Sequence, residues 1–159
     1  MDKEEILHLI IKKLKKDLDT YFRAASSASD EATDEHNKPE GKYDTRGLEA
    51  SYLAHGQAKQ ALQAKADLDS FETLILSDFD DGQTIDIGAL VELRLEEESI
   101  YYFVGPASGG AEIEYNNQEI SVVTPSSPIG KVLIGKTIGH SFSIGLGSDK
   151  RNYKIENIF

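Results

Sequence analysis

Leu7, Ile10, Leu14, Leu18, Tyr21, Ala25, Ala28 and Ala32 stand 3, 4, 4, 3, 4, 3 and 4 residues apart. That spacing puts every one of them on a single stripe of an α-helix, and it is the seam of a coiled coil. It commits residues 2–34 to one long helix, about 45 Å from end to end. The stripe opens on Leu and Ile and closes on Ala, so the far end should narrow. Asn37, Pro39, Glu40 and Gly41 then break the pattern. A second apolar series follows with Leu48, Tyr52, His55, Ala58, Leu62 and Ala66. The simplest arrangement is an antiparallel helical hairpin over residues 1–72, with its tip near 34–45 and Tyr52 and His55 in the seam. A hairpin that long on a short chain is expected to project from the remainder.

Past about residue 70 the apolar period changes to two. Thr73 to Leu76, Thr84 to Leu95, Ile100 to Val104, Ile120 to Val123, Phe142 to Leu146 and Tyr153 to Ile158 are strand candidates. Asp80-Asp81-Gly82, Gly105-Pro106 and Gly109-Gly110 mark turns. One helix interrupts the strands. Ser126 or Ser127 can cap it, Pro128 suits its first turn, and Gly135 fits just past its end. Between them Ile129, Val132 and Leu133 form an apolar stripe. Residues 73–159 therefore read as a second domain, and the whole chain as α+β.

The same stretch matches a phosphate loop letter for letter, from Gly130 to Thr137. Physics rejects that match. A phosphate loop needs small residues where its backbone wraps the ligand, and a helix must follow. Here Lys131-Val132-Leu133-Ile134 fills the middle. Gly139 and the alternating Ser141-Phe142-Ser143-Ile144 follow, and those are strand-like.

Charge and composition narrow the partners. The net charge is −11. Residues 1–74 carry 11 basic and 15 acidic side chains, and residues 75–159 carry 6 and 13. Such a chain is a poor non-specific nucleic-acid binder and favours a basic partner or a bound cation. The absence of cysteine excludes disulfides and thiolate zinc sites, and the four histidines have no metal-ligand spacing. No run of about 18 apolar residues is present, so no membrane helix is expected. The acidic Met1-Asp2-Lys3-Glu4-Glu5 start gives no signal core, which places the chain in the cytoplasm.

Ser127-Pro128-Ile129-Gly130-Lys131-Val132-Leu133-Ile134-Gly135-Lys136, the later Gly139, and the closing Tyr153-Lys154-Ile155-Glu156-Asn157-Ile158 resemble the bacterial Gre family of transcript-cleavage factors. Val91-Glu92-Leu93 and Tyr102-Phe103-Val104-Gly105 look like that family's sheet strands. The resemblance implies an FKBP-like antiparallel sheet with one short helix, docking on RNA polymerase. Pro128, Gly130, Lys131, Gly135 and Lys136 are the docking candidates. It also implies a coiled coil that enters the polymerase's secondary channel and approaches the 3′ end of nascent RNA. Family members carry two acidic residues at the coiled-coil tip and share a Mg²⁺ with the polymerase, which then cleaves backtracked RNA. The factor is no enzyme and holds no cofactor of its own. It acts as a monomer, away from membranes.

In this chain the tip candidates are Asp44, Glu49, Asp34 and Glu35, with Lys42 and Arg46 as RNA or phosphate contacts. Asp44 also fits as the cap of the second helix. If Tyr52 matches the family tyrosine, the two acidic positions fall on Thr45 and Leu48. Asp44 and Glu49 each lie one residue away, which is about 100° around a helix. Two outcomes stay open: stimulated cleavage, or occupation of the channel without it. The sheet-and-helix fold also raises a prolyl isomerase or a plain interaction module as alternatives. The consecutive Tyr101, Tyr102 and Phe103 offer a poor proline pocket, because only alternate side chains share a face.

Overall fold

The computed structural model describes residues 1–33, 46–79, 82–145 and 150–159. Two compact units emerge. One joins Met1–Ile11 to Ser70–Phe159, and the other is Lys12–Asp69.

The helical unit consists of α1 (Lys3–Thr33) and α2 (Arg46–Glu72), apart from the start of α1 and the end of α2. Those two ends both belong to the first unit, so the helices run antiparallel. On α1 the whole expected seam, Leu7 through Ala32, is buried or half-buried. On α2 the expected seam is on the wrong face. Leu48, Tyr52, His55, Ala58, Leu62 and Ala66 are all exposed, and Tyr52 and Leu62 are each 71% exposed. The buried face is Gly47, Ala50, Ala54, Gln57, Ala61, Ala64, Leu68 and Phe71, spaced 3, 4, 3, 4, 3, 4 and 3. Two apolar series with the same period run along α2. The small side chains won because they let two helix backbones approach closely, while sequence inspection favoured the larger ones. The half-buried ion pair Lys13–Asp17 and the exposed pair Arg23–Asp19 each join residues one turn apart along α1.

The other unit is built on a six-stranded sheet. Its strands are β1 (Leu90–Leu95), β2 (Glu98–Val104), β3 (Glu112–Tyr115), β4 (Gln118–Val123), β5 (Ser141–Ile144) and β6 (Arg151–Ile158), ordered β3-β4-β2-β1-β6-β5. The sheet is mixed rather than wholly antiparallel, because β2 and β4 pair in parallel. The reason is β3, a short edge strand that the sequence pattern missed. It turns back onto β4 through Asn116-Asn117, both in the left-handed region that a two-residue hairpin turn requires. The segments 73–76 and 84–89 are not strands. Ile85 spends its backbone groups on the far loop, donating to the Lys136 carbonyl at 2.8 Å and accepting from Gly135 N at 2.9 Å.

Alternation gives the sheet two apolar faces. On one, Val91, Leu93, Val104, Val123, Ile155 and Ile158 pack with Leu133 of α3 (Pro128–Leu133). On the other, Leu90 and its cross-strand neighbour Phe103 are fully buried. There Phe71, at the end of α2, sets its ring 6.4 Å from that of Phe103. Gly105 makes room for this: a Cβ there would stand 2.6 Å from Phe71 Cζ.

Candidate functional site

The α3 corner is closely specified by local contacts. Ser127 Oγ accepts from Gly130 N at 3.0 Å and donates to the Thr124 carbonyl at 2.8 Å, so one hydroxyl caps the helix and ties it to the end of β4. Pro128 follows as the first helical residue, where a missing N–H costs nothing. Gly130 passes so close to the Thr124 carbonyl that a Cβ would lie 1.8 Å from its oxygen. After Leu133 the chain turns through Gly135 at φ +75°, as an αL residue ending a helix should.

The expected docking residues separate accordingly. Pro128, Lys131 and Gly135 are exposed, and Lys136 is half-buried. Gly130 is buried, and its smallness serves the Thr124 contact rather than a surface. Beyond the helix Ile138 is 44% exposed. A ladder of His140, Phe142 and Tyr153 lies alongside, with ring centroids 6.5 Å and then 5.5 Å apart. The corner therefore carries the exposed Lys131, the half-buried Lys136 and the exposed Ile138, in a unit that is otherwise acidic. Segment 70–159 carries 6 basic and 14 acidic side chains.

At the hairpin tip, Asp34, Glu35, Lys42 and Asp44 lie outside the described residues, as does the side chain of Arg46. The proposed capping role of Asp44 lies outside them too. Glu49 is exposed in the first turn of α2, where a carboxylate complements the helix dipole. Asp30 and Glu31 sit near the end of α1, whose last turn holds no basic residue. Carboxylates at a helix C-terminus oppose its dipole by about 0.3–1 kcal/mol each. Helix economy does not explain their position. Among the described residues, no three His, Cys, Asp or Glu side chains converge as a metal site.

A third cluster was not foreseen from the sequence. On the β1 face shared with Leu90, Glu92 accepts from Asn157 Nδ2 at 2.6 Å, Ser99 Oγ at 2.8 Å and the Tyr101 hydroxyl at 3.3 Å. Burial pushes this carboxyl up, but those three hydrogen bonds and the Arg94 charge outweigh it and hold the group below the ordinary glutamate range. Burial and the Glu92 charge raise the Tyr101 phenol in turn. Strand register brings the partners together: Glu92 lies opposite Tyr101 on β2 and Asn157 on β6. Only pairing knowledge, absent from the sequence pattern, could have assembled them.

A cavity of about 550 Å³ lies between the first residues of α1, segment 76–79 and the end of β6. Lys3 reaches across it to the Ser77 carbonyl and stands 4.7 Å over the Phe79 ring. Burial lowers the Lys3 ammonium pKa, partly offset by Asp78. Of the aromatic run, Phe103 is fully buried and Tyr101 is tied to Glu92, and none of Tyr101, Tyr102 and Phe103 lines this cavity. Among the described residues no helix is long and apolar enough to cross a membrane.

Comparison with known proteins gives three results. Residues 80–159 match the family model described as transcription elongation factor, GreA/GreB, C-terminal. Among curated proteins, a transcription elongation factor GreA from Thermodesulfovibrio yellowstonii is 35% identical over 69 residues. That match takes in 43% of this chain and 39% of the relative. Among solved structures, the GreA factor homolog 1 (Gfh1) of Thermus thermophilus is 21% identical, covering 94% of each chain with a TM-score of 0.38. A GreA/GreB elongation factor from Nitrosomonas europaea is 13% identical, covering 70% of this chain and 91% of its own, with a TM-score of 0.37.

Proposed function

The chain belongs to the GreA/GreB family of transcription elongation factors, and from that premise we propose that it binds RNA polymerase and acts on paused or backtracked complexes through its helical hairpin. The observation that carries the reading is the α3 corner. Its Ser-Pro-Ile-Gly-Lys sequence is tied to the end of β4 by the Ser127 cap and the Gly130 approach, and it leaves Pro128 and Lys131 exposed and Lys136 half-exposed. A preorganised patch of two ammonium groups and apolar surface suits an acidic, partly apolar protein face. In this reading the corner docks and the hairpin probes.

The probe would work in the polymerase's secondary channel. Asp44 and Glu49, or Asp34 and Glu35, are the residues that would share a Mg²⁺ with the polymerase, with Lys42 and Arg46 toward the RNA. Oxygen ligands on a narrow arm suit a hard cation that lacks a full ligand set. When bound, such a metal lowers the pKa of water and so supplies a nucleophile. This chain would then be an accessory factor, with the bond cleavage done by the polymerase. One observation favours the second outcome, channel occupation without cleavage. Matching Tyr52 to the family tyrosine sets Thr45 and Leu48 at the two acidic positions.

A backtracked-complex assay separates the two. Shortening of the RNA on adding the chain, lost in the Asp44→Ala, Glu49→Ala double variant, supports stimulated cleavage. Unchanged RNA with clear polymerase binding supports occupation alone. Unchanged RNA with no binding removes the reading altogether. The isomerase alternative has no support from the aromatic run: Phe103 is fully buried, Tyr101 is bonded to Glu92, and Tyr102 lies on the opposite face of the sheet.

A further inference from the structure

The two edges of the sheet differ in chemistry. β3 closes one edge with Glu112-Ile113-Glu114-Tyr115, and β5 closes the other with Ser141-Phe142-Ser143-Ile144. Pairing with β6 fixes which backbone groups of β5 point outward. The His140 carbonyl accepts from Ile155 N at 2.9 Å, so these two residues form a hydrogen-bonded pair. The same register sets Phe142 opposite Tyr153 and Ile144 opposite Arg151. Bonded and non-bonded pairs alternate along an antiparallel ladder, so Phe142 and Ile144 turn their backbone groups to β6. Ser141 and Ser143 therefore aim theirs at the free edge, and both residues are exposed. On β3, Val122 N donates to the Ala111 carbonyl at 2.7 Å, and the same alternation turns the backbone of Glu112 and Glu114 outward. Two carboxylates thus guard the β3 edge, a common defence against strand addition. The residues of β5 carry no charge.

We propose that the β5 edge takes up an extended segment of a partner protein as an added antiparallel strand, and that this segment alternates acidic with apolar side chains.

Charge identifies the occupant. Residues 131–154 carry 5 basic and 1 acidic side chains, whereas the remainder of segment 70–159 carries 1 and 13. Two of the five, Lys131 and Lys136, belong to the α3 corner. The other three, Lys150, Arg151 and Lys154, lie at this edge and are all exposed. Among the described residues only Lys154 of the five has an ion-pair partner, Glu156 at 2.9 Å. Two copies of such an edge repel each other, while an acidic segment is attracted to it. A nucleic acid would meet the cations but has no peptide groups to match those of Ser141 and Ser143.

The pleat supplies the alternation, because cross-strand partners share a face. Ser141 with Lys154 and Ser143 with Asn152 form one face, and Phe142 with Tyr153 and Ile144 with Arg151 form the other. On the first face an added side chain meets serine hydroxyls with the Lys154 ammonium behind them, which suits a carboxylate. On the second it meets the Phe142 ring, stacked 5.5 Å from that of Tyr153, which suits an apolar group. In antiparallel register the acidic residues stand opposite Ser141 and Ser143, so theirs are the amides that face β5.

A short fluorescein-labelled peptide of alternating Glu and Val, titrated with the full chain and read by anisotropy, tests this. It should bind saturably, and its counterpart of alternating Lys and Val should not. N-methylation of the Glu amides should weaken binding by about tenfold or more, because each lost donor leaves an edge carbonyl unpaired. N-methylation of the Val amides, which face solvent, should change little. Ser143→Pro removes an outward N–H that no ladder bond uses, so the circular dichroism of the chain should persist while peptide binding falls by a similar factor. The chain alone should sediment at 17.5 kDa throughout. Absence of saturable binding, or equal binding by the Lys peptide or the Glu-methylated peptide, overturns the proposal. So does a mass that grows with concentration, which would seat the acidic β3 edge of another copy there, or an oligouridylate that binds more tightly than the peptide. No polymerase enters these measurements, so their failure is distinct from failure of the functional reading.

Discussion

The sheet unit and the helical unit reach stability by opposite means. In the sheet unit, large side chains are fully buried on both faces, and glycines are placed where a single methyl group would collide. In the helical unit, the buried positions of α2 are mostly alanine while its Leu48, Tyr52 and Leu62 face solvent. One region spends its apolar side chains on its own interior. The other keeps several of them outside, where they can meet something else.

The sharpest way to break this contrast is a pair of leucine truncations. Leu133→Ala, at a fully buried site on α3, should cost about 3 kcal/mol in urea unfolding. Leu62→Ala at its 71%-exposed site should change stability by less than about 0.5 kcal/mol. Equal losses at the two sites would erase the distinction. A second test addresses the buried face of α2. Ala61→Leu should destabilise the helical unit by about 1–3 kcal/mol through overpacking, although leucine is an excellent helix former. A neutral outcome would mean that the helices are not close-packed at Ala61.

The smallest effect concerns pH. The Glu92 carboxyl has its pKa lowered in the fold, so the unfolded chain binds its proton more readily. Its contribution is complete above the ordinary glutamate range near pH 4.3 and fades as pH falls through the folded value. Glu92→Gln should therefore make the loss of stability between about pH 5 and pH 3 shallower, with little change in its slope at neutral pH. An unaltered acid limb would show that the Asn157, Ser99 and Tyr101 hydrogen bonds do not favour the ionised form.

Much of the architecture was legible in the amino acids. The α1 seam, the switch of period after residue 70, the Ser127 cap and the Gly135 stop are all local signals, and local chemistry decides them. The failures have a common physical origin. Choosing between two apolar stripes on α2 depends on how close the opposite helix comes. The parallel β2–β4 pairing depends on a four-residue edge strand with alternating glutamates. Assembling Glu92 with Asn157 requires knowing which strands are neighbours. All three are long-range facts that a local pattern does not hold. At the candidate site, the corner residues were found by resemblance, but the burial of Gly130 separates it from Pro128, Lys131 and Lys136 only once the Thr124 carbonyl is in place.

Binding to purified core RNA polymerase tests the central claim most directly. A fluorescently labelled chain titrated with the enzyme should bind saturably, and the Lys131→Glu, Lys136→Glu double variant should bind at least about tenfold more weakly, the loss expected for about 1.4 kcal/mol of docking energy. No saturable binding at micromolar polymerase, or equal binding by the charge-reversed variant, would contradict the account.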